Sequence, residues 1–447
     1  MSSASQNASE AGLHHQLTAG QMAMVGVGGS IGTGLLLGSG AAVRIAGPAV
    51  ILSFAAAALI TWTVAMALGE MASLHPSAGS FGTYAELYLN PWAGFISRYG
   101  YWLAIAIAIG GEMVASATYM HYWFPSVHAI VWIVIFAAGL IAVNLRTVGD
   151  YGRFEFWFAM IKLVTILAFI VLGAGLLAGH RVAPQYTASG GFFPNGHSAP
   201  LLAMSFSLFT FAGIEMVAIS SGESRSRQEI PRAVRLTFGL LSLVYMGAIV
   251  VLVGVMPAAA GAGVTESPFV TVFRHVGLPA ASHLMNFVVL SAALSGANAS
   301  LYVDSRTLFS LARGGYAPAA LGKLTAAGAP LRALLVSSFG IVVAVMMERW
   351  APEDAFVYLL GAAVFGAMLA WLVALAAHVR FRAQLSPAEL AALPMRSPGG
   401  ATASIIGFIA IVASLAATWW YSRVTVLSGV VYIVGLSAAY LLARTKR

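Results

Sequence analysis

Charged residues are scarce in this sequence, and cysteine is absent. Only 9% of the 447 residues are Asp, Glu, Lys or Arg, whereas a soluble domain carries about 25%. A chain with so few charges cannot be mainly a soluble globule or a disordered segment. Without cysteine, the chain cannot form disulfides, iron–sulfur clusters or thiolate zinc sites.

Hydrophobic residues make up 60% of the chain instead, and the mean hydropathy is +0.86. They form twelve long apolar stretches, each near the roughly 20 residues that a membrane-spanning helix needs. The stretches are too long and continuous for barrel strands, so the sequence predicts an all-α polytopic membrane protein with 12 transmembrane helices. These predicted spans 1 to 12 cover residues 18–43, 48–73, 93–122, 127–145, 156–178, 200–222, 234–256, 281–312, 331–348, 355–379, 403–421 and 425–443.

The distribution of basic residues predicts the orientation in the membrane. If the N-terminus is cytoplasmic, the cytoplasmic segments hold 16 basic residues and the outer segments hold five, with the other two of the 23 inside spans. This bias predicts cytoplasmic N- and C-termini in a cell inner (cytoplasmic) membrane. We therefore expect the basic residues to lie beside membrane lipid, with no nucleic acid as partner.

Neither the loops nor the histidines indicate another kind of site. The longest predicted loops have about 20 residues, too few for a soluble catalytic domain, so we expect a non-enzyme that works within the membrane. The ten histidines show no metal-ligand spacing, and we expect neither a metal nor a cofactor. The ten tryptophans lie mostly near span ends and are interpreted as mainly an interfacial belt.

Span 1 is unusually rich in glycine, with seven glycines among residues 26–40. One interpretation is close helix packing, because several of these glycines are four residues apart. The other is that 29–34 unwinds at mid-membrane, so that the N–H groups of Thr33, Gly34 and Leu35 face an anion. The spacing alone does not separate the two interpretations. No G-x-G-x-x-G register or G-K-[ST] motif is present, which excludes a nucleotide loop.

Span 6 contains a second predicted break, at 205–215, where Gly213 and Glu215 interrupt an apolar run. Unwound backbone there would offer carbonyl oxygens to a cation. Spans 1 and 6 occupy corresponding positions in two five-helix halves. That correspondence is typical of an inverted-repeat transporter.

Five ionisable residues lie inside the spans, where a charge is costly and needs a reason. Lys162 either snorkels to the interface or points inward as a group that gains and loses a proton. Glu112 and Glu215 either accept hydrogen bonds from broken backbone or take part in proton coupling. Asp304 and Arg306 are two residues apart and should face different ways. Glu70, near the end of span 2, is interpreted as an interfacial gate or cap.

Several motifs together resemble bacterial amino acid permeases, specifically the amino acid transporter (AAT) subgroup of the amino acid–polyamine–organocation (APC) superfamily. The resemblance covers roughly residues 18–445, with the motifs in the expected order. They are GGSIGTGLLLGSG at 28–40, SAGSFGTYAELY at 77–88, PWAGFISRYGYW at 91–102, FAGIEMV at 211–217, EIPRAV at 229–234, MNFVVLSAALSGAN at 285–298 and SRTLFSLARGGYAP at 305–318.

The resemblance implies a LeuT-type fold with discontinuous helices 1 and 6. Residues 18–178 would form the first five-helix repeat, 199–380 the second, inverted repeat, and 403–443 two additional helices. Residues 1–17 and 444–447 would be cytoplasmic tails. The resemblance also implies secondary transport of an amino acid, usually by proton symport.

The resemblance further assigns roles to residues at the two breaks. Thr33 and Gly34 would bind the substrate α-carboxylate, and Phe209 would cap the pocket. Lys162 matches a lysine proposed to replace a sodium ion and carry the coupling proton, and Glu215 matches a carboxylate involved in proton sensing. Carbonyl oxygens near Ser30 and Ile31, with those of Phe209 and Ala212, would hold the α-ammonium. Gly32 and Gly213 complete the predicted substrate site. Glu112 joins Lys162 and Glu215 as a predicted proton-coupling residue.

The resulting hypothesis is an importer that works by alternating access and uses the proton gradient. An amino acid/metabolite exchanger is the alternative on the same fold, and a non-transporting membrane sensor of amino acids is the alternative of another class. The expected partners are an amino acid, protons and membrane lipid, with no obligate protein partner evident.

Overall fold

The computed structural model describes residues 17–77, 79–145, 148–187, 190–256, 265–325, 329–421 and 423–444. Within these residues the elements are helices, joined by turns and short loops. The predicted tails, 1–17 and 444–447, lie almost wholly outside the described part of the chain. The all-α prediction is therefore confirmed.

Each of the twelve predicted spans corresponds to a helix or to a broken helix. Spans 1, 6 and 9 are interrupted, and the rest are continuous. The bounds are Ala19–Ser30 (half-span 1a), Gly34–Gly38 and Ser39–Ala46 (half-span 1b), Val50–Leu74 (span 2), Pro91–His121 (3), Ala129–Asn144 (4), Val148–Ala178 (5), Ala199–Leu202 and Met204–Thr210 (half-span 6a), Met216–Ser220 (half-span 6b), Glu229–Val255 (7), Pro279–Arg313 (8), Leu331–Ser337 and Phe339–Trp350 (9), Ala355–Gln384 (10), Gly400–Tyr421 (11) and Arg423–Arg444 (12).

Length and composition alone identify fewer spans than twelve. Among the described residues, eight helices are long and apolar enough to cross a membrane, and one of them, Gly34–Leu74, combines half-span 1b with span 2. Two shorter apolar helices, Ala129–Asn144 and Gly429–Leu442, fall within spans 4 and 12. Span 6 is not among them because its break divides it into short pieces.

Three short helices occupy segments that the sequence predicted as loops. They are Ser80–Tyr88, Pro268–His275 and Pro387–Ala392. The last begins with a capping box, in which Ser386 and Glu389 bond reciprocally. Side-chain and backbone hydrogen bonds from Ser386 lower the pKa of the exposed Glu389 carboxyl. These helices are too short to give a clear periodic pattern in the sequence.

Span 3 lies at the centre of the bundle, where it packs against spans 8, 9 and 10. The contact with span 9 is backbone to backbone, since a Cβ on Gly340 would lie 1.7 Å from the carbonyl oxygen of Ala106. Half-span 1a packs on spans 5 and 7, and half-span 1b on half-span 6a. These contacts bring the breaks of spans 1 and 6 together in the interior.

Candidate functional site

The breaks in spans 1 and 6 contact each other directly. Gly213 adopts φ +105° in the break of span 6, a conformation that favours glycine. A Cβ at this position would lie 2.7 Å from Ser30 Oγ and 2.9 Å from the carbonyl carbon of Gly29. Glycine is therefore required at position 213 both by conformation and by space.

Span 1 unwinds where its glycines are densest. Half-span 1a ends at Ser30, and the extended Ile31 caps it. The backbone hydrogen bond from Leu36 N to Gly32 O, 3.2 Å, begins half-span 1b. The N–H groups of Gly34 and Leu35 precede that bond and lie at the positive end of half-span 1b. Unwinding is thus confirmed as local structure, but over 31–33 rather than the predicted 29–34.

Close packing also explains some of the span 1 glycines. A Cβ on Gly26 would lie 2.6 Å from a methyl carbon of Val217, and one on Gly29 would lie 2.3 Å from the sulfur of Met216. Both neighbours belong to half-span 6b. The two interpretations of the glycines therefore hold for different positions in the same segment.

The side chain of Glu112, from span 3, contacts the backbone at the start of half-span 1b. Its Oε1 accepts a hydrogen bond from Thr33 N at 3.3 Å, and a Cβ on Gly32 would lie 2.8 Å from the same oxygen. A protein carboxylate thus pairs with one of the N–H groups that the sequence assigned to an anionic ligand. Such a group at a helix N-terminus is favourable because the helix dipole is positive there.

Lys162 points inward and does not snorkel. Its side chain is buried, and Nζ donates to the carbonyl oxygen of Gly28 at 3.1 Å. That carbonyl lies in the last turn of half-span 1a, the negative end of the helix dipole. Lys162 is also close enough to Glu112 for the two charges to attract each other. The lysine and the glutamate therefore hold opposite sides of the same break.

Glu215 closes the break in span 6. Its Oε2 accepts from Gly213 N at 3.1 Å and from Trp371 Nε1 at 3.2 Å. Trp371 of span 10 is 1% exposed, so it is an exception to the predicted interfacial belt. In the sequence, only the position of Trp371 in the middle of a span could have indicated that it bonds to Glu215. Asp304 is buried and Arg306 is half-buried, with Arg306 directed to Tyr302, as expected for different faces.

Several predicted carbonyl ligands already accept hydrogen bonds. Ser30 O accepts from the hydroxyl of Tyr245 at 2.7 Å, and Phe209 O accepts from Ala212 N at 2.9 Å. Each carbonyl oxygen keeps a second lone pair for another donor. Phe209 is half-buried against Gly34. Tyr245 carried no sequence signal for this contact.

Three buried polar atoms around the breaks make no well-formed hydrogen bond within the described chain, although the Tyr101 hydroxyl lies beside Glu215. They are Ser30 Oγ, Glu112 Oε2 and Glu215 Oε1. Buried polar groups are almost always paired, so these atoms suit a polar ligand. A molecule with neighbouring anionic and cationic groups would find N–H donors at one break and oxygen acceptors at the other.

Glu70 belongs to a separate cluster. The structure buries it completely, four residues before the end of span 2, and its role as an interfacial gate or cap stays a prediction. Its Oε2 accepts from Ser397 N at 2.7 Å and lies 3.0 Å from His378 Nε2 and 3.2 Å from Arg382 Nη1. The cluster fixes spans 2 and 10 to the segment before span 11.

Comparisons with known proteins agree with this architecture. Residues 21–443 match the amino acid permease family. The uncharacterized amino acid permease YtnA of Bacillus subtilis is 35% identical over 438 residues, 96% of this chain and 94% of that protein. The γ-aminobutyric acid permease of Bacillus subtilis is 36% identical, covering 87% and 84% of the two chains. The aromatic amino acid transport protein AroP of Escherichia coli is also 36% identical, covering 80% of each.

The fold is shared with a more distant transporter. The crystal structure of a manganese transporter from Eremococcus coleocola aligns with a TM-score of 0.60 at 15% sequence identity, covering 95% of this chain and 92% of that one. At this identity the likeness concerns the fold alone. With the family match over nearly the whole chain, the permease-like relatives and the two facing helix breaks, the chain belongs to the amino acid permease family of the APC superfamily.

Proposed function

We propose that this permease imports an amino acid by proton symport, through alternating access to the site between the two breaks. The observation that supports this most strongly is the meeting of the two breaks at Gly213 and Ser30, with Glu112 and Lys162 on either side of the span 1 break. A transporter site of this kind lies at discontinuous helices near mid-membrane.

Substrate recognition follows from the polarity of the breaks. The α-carboxylate would take the N–H groups of Thr33 and Gly34 at the start of half-span 1b. The α-ammonium would take carbonyl oxygens of Ser30, Ile31, Phe209 and Ala212, and the Phe209 ring would cover the site. Because Thr33 N donates to Glu112, the substrate carboxylate and Glu112 compete for the same donor.

That competition suggests how protons are coupled to substrate. A proton on Glu112 removes its charge and weakens its bond to Thr33 N, since hydrogen bonds to charged groups are the stronger ones. The donor then becomes available to the substrate. Lys162 attracts the ionised form of Glu112 and restores the bond once the proton leaves. Glu215 would respond to the same cycle through Gly213 N.

The membrane arrangement is proposed from the basic residues. The 16 basic residues predicted on one side would face the cytoplasm of a cell whose inner membrane holds the protein, with both termini inside. As part of the same proposal, residues 18–178 form the first five-helix repeat and residues 199–380 form the second, inverted repeat. No cofactor and no protein partner is needed for it.

The test is uptake of labelled amino acids into proteoliposomes with an imposed pH gradient, inside alkaline. L-phenylalanine, L-threonine and γ-aminobutyrate are suitable probes, because relatives are named for aromatic amino acids, threonine/serine and γ-aminobutyric acid. We expect accumulation that a protonophore abolishes. Accumulation that persists without the gradient contradicts proton symport, and a requirement for internal counter-substrate indicates an exchanger. Ligand-dependent stabilisation without flux indicates a sensor.

Lys162→Met should abolish accumulation, since it removes the ammonium that bonds to Gly28 O and attracts Glu112. The matched control is Lys323→Met, because Lys323 is an exposed residue between spans 8 and 9. Wild-type accumulation in Lys162→Met would remove this lysine from the mechanism.

A further inference from the structure

Asp304 is a buried carboxyl in span 8 that the proposed mechanism does not use. Its side chain is 1% exposed. The hydroxyl of Ser337 in span 9 lies beside it, although within the described chain neither carboxyl oxygen makes a well-formed hydrogen bond. Arg306, two residues further on, is directed to another face, where Nη1 donates to Tyr302 O at 3.2 Å and the guanidinium stacks on the Tyr302 ring. Asp304 therefore needs a role of its own.

Tyr101 of span 3, which packs on span 8, has its hydroxyl beside the Glu215 carboxyl and within electrostatic reach of Asp304. Its ring is fixed by an edge contact with Phe81, 4.7 Å between centroids. Its buried hydroxyl also lacks a well-formed hydrogen bond among the described residues. A hydroxyl can accept a proton and donate one at the same time, so Tyr101 is suited to connect the two carboxyls.

Another buried hydroxyl lies beyond Tyr101, toward the end of the bundle where span 3 begins. Ser97 is one helical turn before Tyr101 and so shares its face of span 3; it is buried, and its hydroxyl is unpartnered within the described chain. Tyr101 is about 15 Å from the start of span 3, and Asp304 is about 14 Å from the end of span 8, at a rise of 1.5 Å per residue. The two residues therefore lie at similar depth.

Spans 3 and 8 are joined at that end. Glu86 accepts from Arg98 at 2.7 Å and from the hydroxyl of Tyr316 at 2.8 Å, and Tyr99 donates to Tyr316 O at 2.6 Å. Glu86, Arg98 and Tyr316 come from three of the family-like motifs, and the substrate site uses none of them. This polar cluster lies where a path along Ser97, Tyr101 and Asp304 would meet the loops.

We infer that Asp304 is a further proton-carrying residue, connected to Glu215 through the Tyr101 hydroxyl and to the loops past Ser97. An ionised carboxylate whose neighbours are hydroxyls is costly in this setting, whereas the neutral carboxyl can donate. The proton on Glu215 passes to the Tyr101 oxygen while the proton of that hydroxyl passes to Asp304. Asp304 then releases its proton past Ser97 to the loop side, which the predicted topology makes cytoplasmic. Tyr432, from span 12, also faces Asp304.

This inference rests on the proposed symport, and its test separates the two. Asp304→Asn and Tyr101→Phe are reconstituted beside wild type and the control Asp354→Asn, an exposed residue between spans 9 and 10. The probe is the labelled amino acid, among L-phenylalanine, L-threonine and γ-aminobutyrate, that wild type accumulates most. Gradient-driven accumulation and gradient-free exchange are measured on the same vesicles.

We expect both variants to lose about tenfold or more of the gradient-driven accumulation, as is usual when a proton-transfer group is removed. Exchange should stay near wild type, and the control should match wild type in both assays. Wild-type accumulation in Asp304→Asn overturns the inference. The inference is also overturned if Asp304→Asn loses exchange and accumulation equally while Tyr101→Phe keeps wild-type values of both. That result would assign Asp304 a structural role. A wild type indifferent to the gradient overturns the proposed symport itself, and this inference with it.

Discussion

The breaks in spans 1 and 6 are stabilised in different ways. In span 6, Gly213 N pairs with Glu215, two residues along the same chain segment. In span 1, Thr33 N pairs with Glu112, which is 79 residues away on span 3. The span 6 break is thus closed locally, whereas the span 1 break depends on another helix. A pairing between two helices can respond to their relative movement, and a local one responds much less.

The largest expected effect comes from the point where the breaks meet. Gly213→Ala would place a Cβ 2.7–2.9 Å from Ser30 and Gly29 atoms at a φ of +105°, and the conformation alone costs about 1–3 kcal/mol. We expect reduced thermal stability of the purified protein and no measurable uptake.

Gly239→Ala is the matched control for this substitution. Gly239 lies within span 7, and a Cβ there would meet no atom within 4 Å. It should unfold at the wild-type temperature or above, because alanine favours the helix by about 1 kcal/mol. Gly213→Ala with normal stability and uptake would show that the breaks need not touch.

The next effect separates the two carboxylates. Glu112→Gln keeps an acceptor for Thr33 N but no longer exchanges a proton or attracts Lys162, so gradient-driven accumulation should fall about tenfold or more. Glu215→Gln also breaks the relay to Asp304, so gradient-driven accumulation should fall by a similar factor. It keeps its local acceptor for Gly213 N, so gradient-free exchange should fall by only about 1 kcal/mol, roughly fivefold. The exposed Glu353→Gln serves as control. A larger loss of gradient-free exchange in Glu215→Gln than in Glu112→Gln would reverse the comparison.

The smallest effect concerns the support of the span 6 break. Trp371→Phe keeps a buried ring but removes the N–H that bonds to Glu215 at 3.2 Å. We expect a loss of about 1 kcal/mol in stability and a few-fold drop in uptake. Trp350→Phe, at a position 68% exposed, should change neither quantity. Equal behaviour of the two variants would mean that Glu215 does not depend on span 10.

The sequence predicts the spans well because hydropathy is a local property, and each of the twelve apolar stretches folds as a helix or a broken helix. It also locates both breaks, since Gly213 and Gly32 lie in the unwound segments themselves. Gly213 and Glu215, which pair with each other, are also only two residues apart in the sequence. Glycine content, however, does not say which glycines unwind and which, like Gly26, pack against a neighbour.

The contacts between distant segments could not be predicted in the same way. Thr33 with Glu112, Lys162 with Gly28 and Trp371 with Glu215 depend on how helices pack. A tryptophan in the middle of an apolar span gives no indication of its hydrogen-bond partner. The short helix Ser80–Tyr88 was missed for the same reason, because its buried face is defined by spans 3 and 10.

In the proposed mechanism, the substrate carboxylate and Glu112 compete for Thr33 N. A structure of the protein with a bound amino acid tests it most directly. We predict the substrate carboxylate about 3 Å from Thr33 N, with Glu112 turned away from that donor. A bound amino acid whose carboxylate lies elsewhere, while Glu112 stays on Thr33 N, would contradict the account.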